Sequence, residues 1–522
     1  MTHRYASLDA RQSTSIITGT LDNGDFQNAG ISAGGHLHVD IKSPLFPFGS
    51  LHVENASILM QGDGVYGINN GLFETITTGS GSATSVNNTL QVSTGVTVNT
   101  YAQLRTKRRI RYRAGQGILG RFTTIFPNNV DQSYQLIGLN NEEDAVGVGY
   151  KDTVFGLIYR RHGVREIQTL TITTASTTAE NVTVRLAGTA YTVAVTNSAS
   201  TVRTAYEISR GTFTGWKAEQ AGSTVRFVSE RAGNQTGTFS LTATTAVGAF
   251  AETLAGAAYT ETFIPQTDWN VDKLDGLGGS AITLDPTRIN IWQIAIQYLG
   301  GGIIGLNYVT VADTGGIDWT PCHVIKNPNT LTRSNFGNPV FPFSISAEST
   351  GSTTNLTPGN VSYCGMIEGQ RFLQGNRFSY YNTITTVTAA AFRAIFTIRN
   401  DLTYGGRASQ VVVNIISIAA AAKHTQPVAV YLFRNATLGG TPNFSAYSTS
   451  SATDWDTAAT TATIANNDQL VWSGQLGETG DIAFEFNDSI LLEPGETLTV
   501  AARSSTGTPS YVSASLNTRE DQ

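Results

Sequence analysis

Charge is scarce in this chain of 522 residues. Its 33 Lys and Arg with 39 Asp and Glu make up 14%, where soluble domains carry about 25%. A net charge of −6 excludes a protein whose main business is neutralising phosphate, so no nucleic-acid partner is expected. Cysteine is nearly absent: Cys322 and Cys364 stand far apart with no Cys-x-x-Cys pair, which excludes a disulfide framework and a zinc knuckle. Long apolar runs are missing as well. The most apolar stretch, 293–309, is broken by Gln, Asn and Gly, and the N-terminal MTHRYASLDARQSTSIITGT has no signal-like apolar core. No membrane partner is expected, and synthesis in a cytoplasm is. Sequons such as Asn181-Val-Thr183 then follow from a composition rich in Asn and Thr.

What is present is Gly (53 residues), Thr, Ser, Ala and Asn, with 40% apolar residues. That is too little Gly for a collagen and too much apolar content for a disordered chain. Short alternating runs separated by Gly, Asn and Asp give a mainly β fold class of several sandwiches. Residues 1–62 show little periodicity and read as an N-terminal attachment arm. From Val65 the strand runs LQVSTGVTVNT, GRFTTIF and VFGLIYRR follow at sandwich spacing. Between 168 and 260 the text changes: TLTITT, NVTVRLAGTAYTVAVT and GSTVRFVSE surround SASTVRTAYEISRG. The last carries apolar positions at Val202, Ala205 and Tyr206 between Ser caps and a Gly, a small β-β-α-β-β module. The style of the earlier segment resumes after 260, so one sandwich (63–167 and 261–370) is interrupted by an insertion whose flanks lie side by side; three domains in series is the alternative. A C-terminal sandwich fills 371–522, with Pro494-Gly495 in the turn of LLEPGETLTV.

YRAGQGILGRFTTIF, YQLIGLNNEEDAVGVGYKDTVFGLIYRRHGVREI and WNVDKLDGLGGSAITLDPTRINIWQIAIQYLGGG, with FPFSISAESTGSTTNL, YLFRNATLGGTPNF and LEPGETLTV, resemble virion structural proteins of tailed phages and other large double-stranded DNA viruses. The interrupted sandwich is similar to laminin-G or concanavalin-like domains, the C-terminal one is jelly-roll-like, and the insertion resembles a small module that recurs in such particles. The resemblance implies a structural component of a virus particle, located in the virion as a capsid-associated, baseplate or fibre element. It would assemble with itself, as a homotrimer by analogy with viral fibres, and with other virion proteins.

The most distinctive cluster is Arg105, Lys107, Arg109, Arg111 and Arg113 in LRTKRRIRYRAG. In one continuous strand these alternate positions share a face over about 27 Å. Two readings stand: a strip for an acidic partner or ligand, and a solvated face paired across the sheet with Glu142, Glu143 and Asp144. Asp268, Asn270 and Asp272 in DWNVDKLDG place oxygens at alternate positions as a calcium loop does, but position 279, where such a loop needs Glu, is Gly; an Asx-stabilised turn is the competing reading, and no cofactor is expected. His36 and His38, and Asp22 with Asp25, carry no completed ligand pattern. Trp319 and Trp455 lie in loop-like text and are candidates for contact with host-surface glycan, whereas Trp292 and Trp472 sit in alternating strands and read as core. No His-Glu-x-x-His, Gly-x-Ser-x-Gly or phosphate-loop pattern occurs, so no enzyme is expected. The alternative functions are a glycan-recognising receptor-binding protein and, last, a polysaccharide depolymerase.

Overall fold

Along Asn290–Ile296 the residues Asn290, Trp292, Ile294 and Ile296 are buried while those between them reach solvent. Period-two alternation has become a strand with one face on the core. The computed structural model describes residues 56–522 apart from 114, 298, 312–316, 370–374, 424–426, 478–479, 506–509 and 522. Of the first 55 residues it describes only two short paired strands, Thr18–Thr20 and Phe26–Asn28. His36, His38, Asp22 and Asp25 lie outside the described residues, as does most of the 1–62 arm.

The N-terminal sandwich packs two antiparallel sheets. One has seven strands in the order Thr260–Pro265, Val154–Arg161, Ala145–Lys151, Ser133–Asn140, Phe343–Ser349, Thr100–Thr106 and Phe73–Thr78. The other has six: Ile317–Ile325, Ile304–Val311, Asn290–Ile296, Ile118–Thr124, Ser362–Ile367 and Ser57–Asp63. Aromatic rings fill the space between, with Trp269 and Trp292 edge to face at 5.9 Å and Tyr150 against Phe155 at 5.3 Å. The one polar atom of Trp292 is satisfied, Nε1 donating to Thr124 Oγ1 at 2.9 Å. Within the seven-stranded sheet the strands Ser133–Asn140 and Ala145–Lys151 are so close-set at Gly149 that a Cβ would lie 1.8 Å from the Gln135 carbonyl oxygen. The sandwich begins at Ser57, inside the stretch assigned to the arm. Only Met60 of that edge strand is buried, so its alternation is faint.

The flanks of the insertion are neighbours in the seven-stranded sheet: Val154–Arg161 pairs antiparallel with Thr260–Pro265, Arg160 opposite Glu261. Between them the chain folds into a four-stranded and a three-stranded sheet around Leu170, Val184, Phe213 and Phe227. The module has seven strands, not the four expected. Ser240–Thr242 is too short to alternate, and Val247–Leu254 is mostly exposed, with Ala249, Ala251, Glu252 and Thr253 turned to solvent. Its single helix, Thr201–Ser209, starts where Ser200 accepts the Arg203 amide. Ala205 and Ile208 face the module's own core, and Tyr206 packs into the C-terminal sandwich.

That second sandwich sets a four-stranded sheet (Asn376–Val387, Ser510–Asp521, Val412–Lys423, Asp481–Leu492) on a six-stranded one that includes Arg393–Asn400, Thr497–Ser504 and Val428–Arg434. Val413, Ile418, Val430, Leu432, Val500 and Leu516 form its core. Strands thus dominate the described residues, and no described helix is long and apolar enough to cross a membrane.

Candidate functional site

The strand that carries the basic run ends at Thr106, whose hydroxyl donates to the Arg108 carbonyl at 2.7 Å and accepts the Phe343 amide at 3.0 Å. Pairing resumes only at Ile110–Arg111, against Val340–Phe341. The five cations therefore do not line one strand face. Arg105 is buried against Glu74 at 2.8 Å, Lys107 meets Glu496 at 3.2 Å, and Arg109 approaches Glu493 to 3.1 Å. Arg111 and Arg113 both reach Asp521, at 3.6 and 2.8 Å. Apart from Glu74, these acids belong to the C-terminal sandwich, so the run is a seam inside the chain. Glu142, Glu143 and Asp144 are engaged elsewhere: Glu142 accepts the Tyr101 hydroxyl, Glu143 pairs with Arg165, and Asp144 accepts the amides of His162, Gly337 and Asn338.

Beside this seam a cavity of about 700 Å³ lies where all three parts meet, lined by Glu74, Lys107, Arg109, Lys217, Glu230 and Glu493 among others. Burial works against ionisation of Glu74, but Arg105 and Lys217 outweigh it and hold the carboxyl well below its usual range. Burial pushes Glu493 up to about 7 despite Arg109. The contact is an ion pair without hydrogen-bond alignment, since Arg109 Nε and both Glu493 oxygens have no hydrogen-bond partner. Burial also raises Glu230. Gly495, at φ +90°, makes the tight turn that presents Glu493 and Glu496 to the cations.

A second charged cluster ties the module to the C-terminal sandwich. Arg399 donates to the Gln220 carbonyl at 2.7 Å and faces Glu219, Asp401 and Asp454. Arg203 on the helix donates to the carbonyls of Leu438 and Gly440, and the Leu438 amide donates to the Tyr206 hydroxyl at 2.9 Å.

The tryptophans divide differently from the sequence expectation. Trp455 lies in the strand Thr453–Asp456, half-buried, with its ring edge to face with Tyr447 at 5.4 Å on the C-terminal core. Trp472 is half-buried. Trp319 lies in the strand Ile317–Ile325, with its ring over the Arg121 guanidinium at 5.0 Å. Arg121 was missed in the sequence, where a lone arginine in GRFTTIF carries no signal. At 268–272 the geometry is a turn: Asp272 accepts the amides of Leu274 and Ser280, and the Asn270 side chain exchanges two hydrogen bonds with the Val324 backbone. Those oxygens face backbone N–H groups. Among the described residues no group of three His, Cys, Asp or Glu side chains is placed to hold a metal.

No protein-family model matches the chain, and no curated protein matches it. Among solved structures it is similar to a lectin from Bauhinia forficata in complex with GalNAc, at 10% identity and a TM-score of 0.20, over 59% of this chain and 97% of that one.

Proposed function

We propose that this chain is a non-enzymatic structural component of a virus particle, made in the host cytoplasm and acting by protein–protein assembly. The observation that supports this reading is that charges which a binding protein would present to solvent are turned inward. The basic run and the Arg399 cluster join three β cores through Glu493, Glu496, Asp521 and Glu219, giving a stiff multi-sandwich body. Its partners are other virion proteins and further copies of itself, as a trimer. Exposed Tyr381, Phe484 and Tyr511 on the C-terminal sandwich are apolar surface that such contacts would cover. Immunogold labelling of purified particles, with light scattering of the isolated chain, tests it. Label on particles and a trimeric mass support the reading; absence from particles overturns it.

The second reading is a glycan-recognising protein of the particle. One observation favours it: Arg121 beneath Trp319 is half-buried and has no acidic partner among the described residues.

A further inference from the structure

Strand register builds two adjacent rows on the outer face of the six-stranded sheet. Gln61, Cys364, Arg121 and Gln293 follow one another across four strands. Two residues along, about 7 Å away, Asp63 faces Ser362 on one side of the next row, and Ile291 ends it on the other. A depression of about 590 Å³ opens over Gln61, Asp63, Arg121, Ile291, Ser362 and Cys364. Arg121 Nε donates to Gln293 Oε1 at 2.7 Å and the Trp319 ring covers the guanidinium. Both contacts fix its plane, and its terminal amino groups have no partner among the described residues.

Arg161, over the Tyr159 ring, and Arg393, donating to the Thr460 carbonyl, also meet no carboxylate among the described residues, whereas other arginines of the chain do. Arg105, Arg160 and Arg231 are each stacked or buried, and each meets a carboxylate at 3.0 Å or less. A structural arginine half withdrawn from water is normally given such a counter-charge, because burial disfavours the cation. At Arg121 burial is the first influence on the guanidinium and no carboxylate opposes it.

We infer that this face binds a carboxylate-bearing sugar, a uronic or sialic acid unit of an acidic polysaccharide, with Arg121 as the carboxylate fork. The inference rests on the glycan-recognition reading and narrows it. A guanidinium fixed in plane matches a carboxylate with two parallel hydrogen bonds. Asp63, in the same depression, accepts hydrogen bonds from hydroxyls and repels the second charge of a phosphate monoester, which selects a hydroxylated monoanion over a phosphate ester. Ser362 and Gln61 supply further hydrogen bonds, and exposed Ile291 supplies apolar surface for the C–H face of a pyranose ring.

The test is calorimetric titration of the full chain with oligogalacturonate, oligosialic acid, carboxyl-reduced oligogalacturonate and neutral dextran. The expected result is binding of at least one of the two acidic oligomers, identifying which sugar acid is preferred. Carboxyl reduction and Arg121→Gln should each weaken it roughly tenfold or more, the worth of a charged hydrogen-bond pair, and Arg121→Lys should retain part of the affinity. Should Arg121→Gln fail to fold, Trp319→Leu, which frees the guanidinium plane, is expected to weaken binding in the same direction. Equal affinity for the reduced oligomer, or unchanged affinity in a folded Arg121→Gln variant, overturns the inference while leaving glycan recognition standing. Binding to none of the four saccharides overturns both.

Discussion

Arg399 Nε of the C-terminal sandwich and Glu219 Oε2 of the inserted module lie 3.6 Å apart, and both residues are closed off from water, at 4% and 2% exposure. Asp401 and Asp454 approach the same guanidinium to 3.2 and 2.6 Å. Three acids thus surround one base. Burial, and then repulsion from Glu219, raise the Asp401 carboxyl well above its usual range against the pull of Arg399.

Replacing Arg399 with Leu strands those carboxylates in a dry interface and is expected to cost about 3–5 kcal/mol. Asp401→Asn keeps the side-chain shape while removing the acid that burial and Glu219 disfavour, and should cost less than about 1 kcal/mol. Urea unfolding midpoints of the two variants check the contrast; comparable losses would mean that the Asp401 contact matters as much to the cluster as Arg399 itself.

Glu493 gives the seam a pH dependence of defined sign. Its carboxyl titrates at about 7 in the folded chain against an ordinary value of 4.5, so the folded state binds the proton more tightly. The stabilisation is complete below pH 4.5 and is lost as pH rises through 7, up to about 3 kcal/mol for a shift of this size. Melting temperatures of wild type and Glu493→Gln at pH 5 and pH 8 should diverge, with the variant gaining on the wild type at the higher pH. A gap that does not change with pH rules this out.

The basic run should divide by burial. Arg109→Gln leaves Glu493 buried without its ion-pair partner and is expected to cost roughly 3 kcal/mol. Arg111→Gln and Arg113→Gln each remove one of two partly buried partners of Asp521, leave the other in place, and should cost about 1 kcal/mol or less each. Thermal unfolding in low and high salt checks it, since only the Asp521 pairs should respond to screening.

Excising the module and joining Arg161 to Thr260 through a short Gly-Ser linker should leave a folded N-terminal sandwich, because those residues are already opposite each other. The product should unfold at lower temperature. It loses the Lys217–Glu74 and Arg231–Glu348 pairs and uncovers the surface on which Tyr206 packs. Circular dichroism and a melting curve decide the matter, and an aggregated product would count against it.

Local features of this fold were legible in the sequence because they are written in neighbouring residues. The alternation of NIWQIAI, the Ser200 cap and the turn at Pro494-Gly495 all stand where the pattern puts them. The basic run and LEPGE were each visible too, but not that they face each other: Lys107 and Glu496 are hundreds of residues apart, and no local pattern encodes such a pairing. The strand break at Thr106 depends on a hydroxyl bonded to Phe343 from a distant strand. Arg121 was invisible for a further reason. What marks it is a missing partner, and a partner's absence is a property of three dimensions.

The pairing of Val154–Arg161 with Thr260–Pro265 also bears on how the chain reaches its native state. As an unfolded coil, roughly one hundred residues would have to close before those two strands could meet, and closure entropy grows with the logarithm of that length. A module that collapses first on its own core holds Arg165–Thr174 and Val247–Leu254 together as hydrogen-bonded neighbours, so its ends arrive already side by side. The insertion then acts as a clamp that shortens the effective contact order of its host, and circular permutation within the module should slow the sandwich's refolding far more than it lowers its final stability.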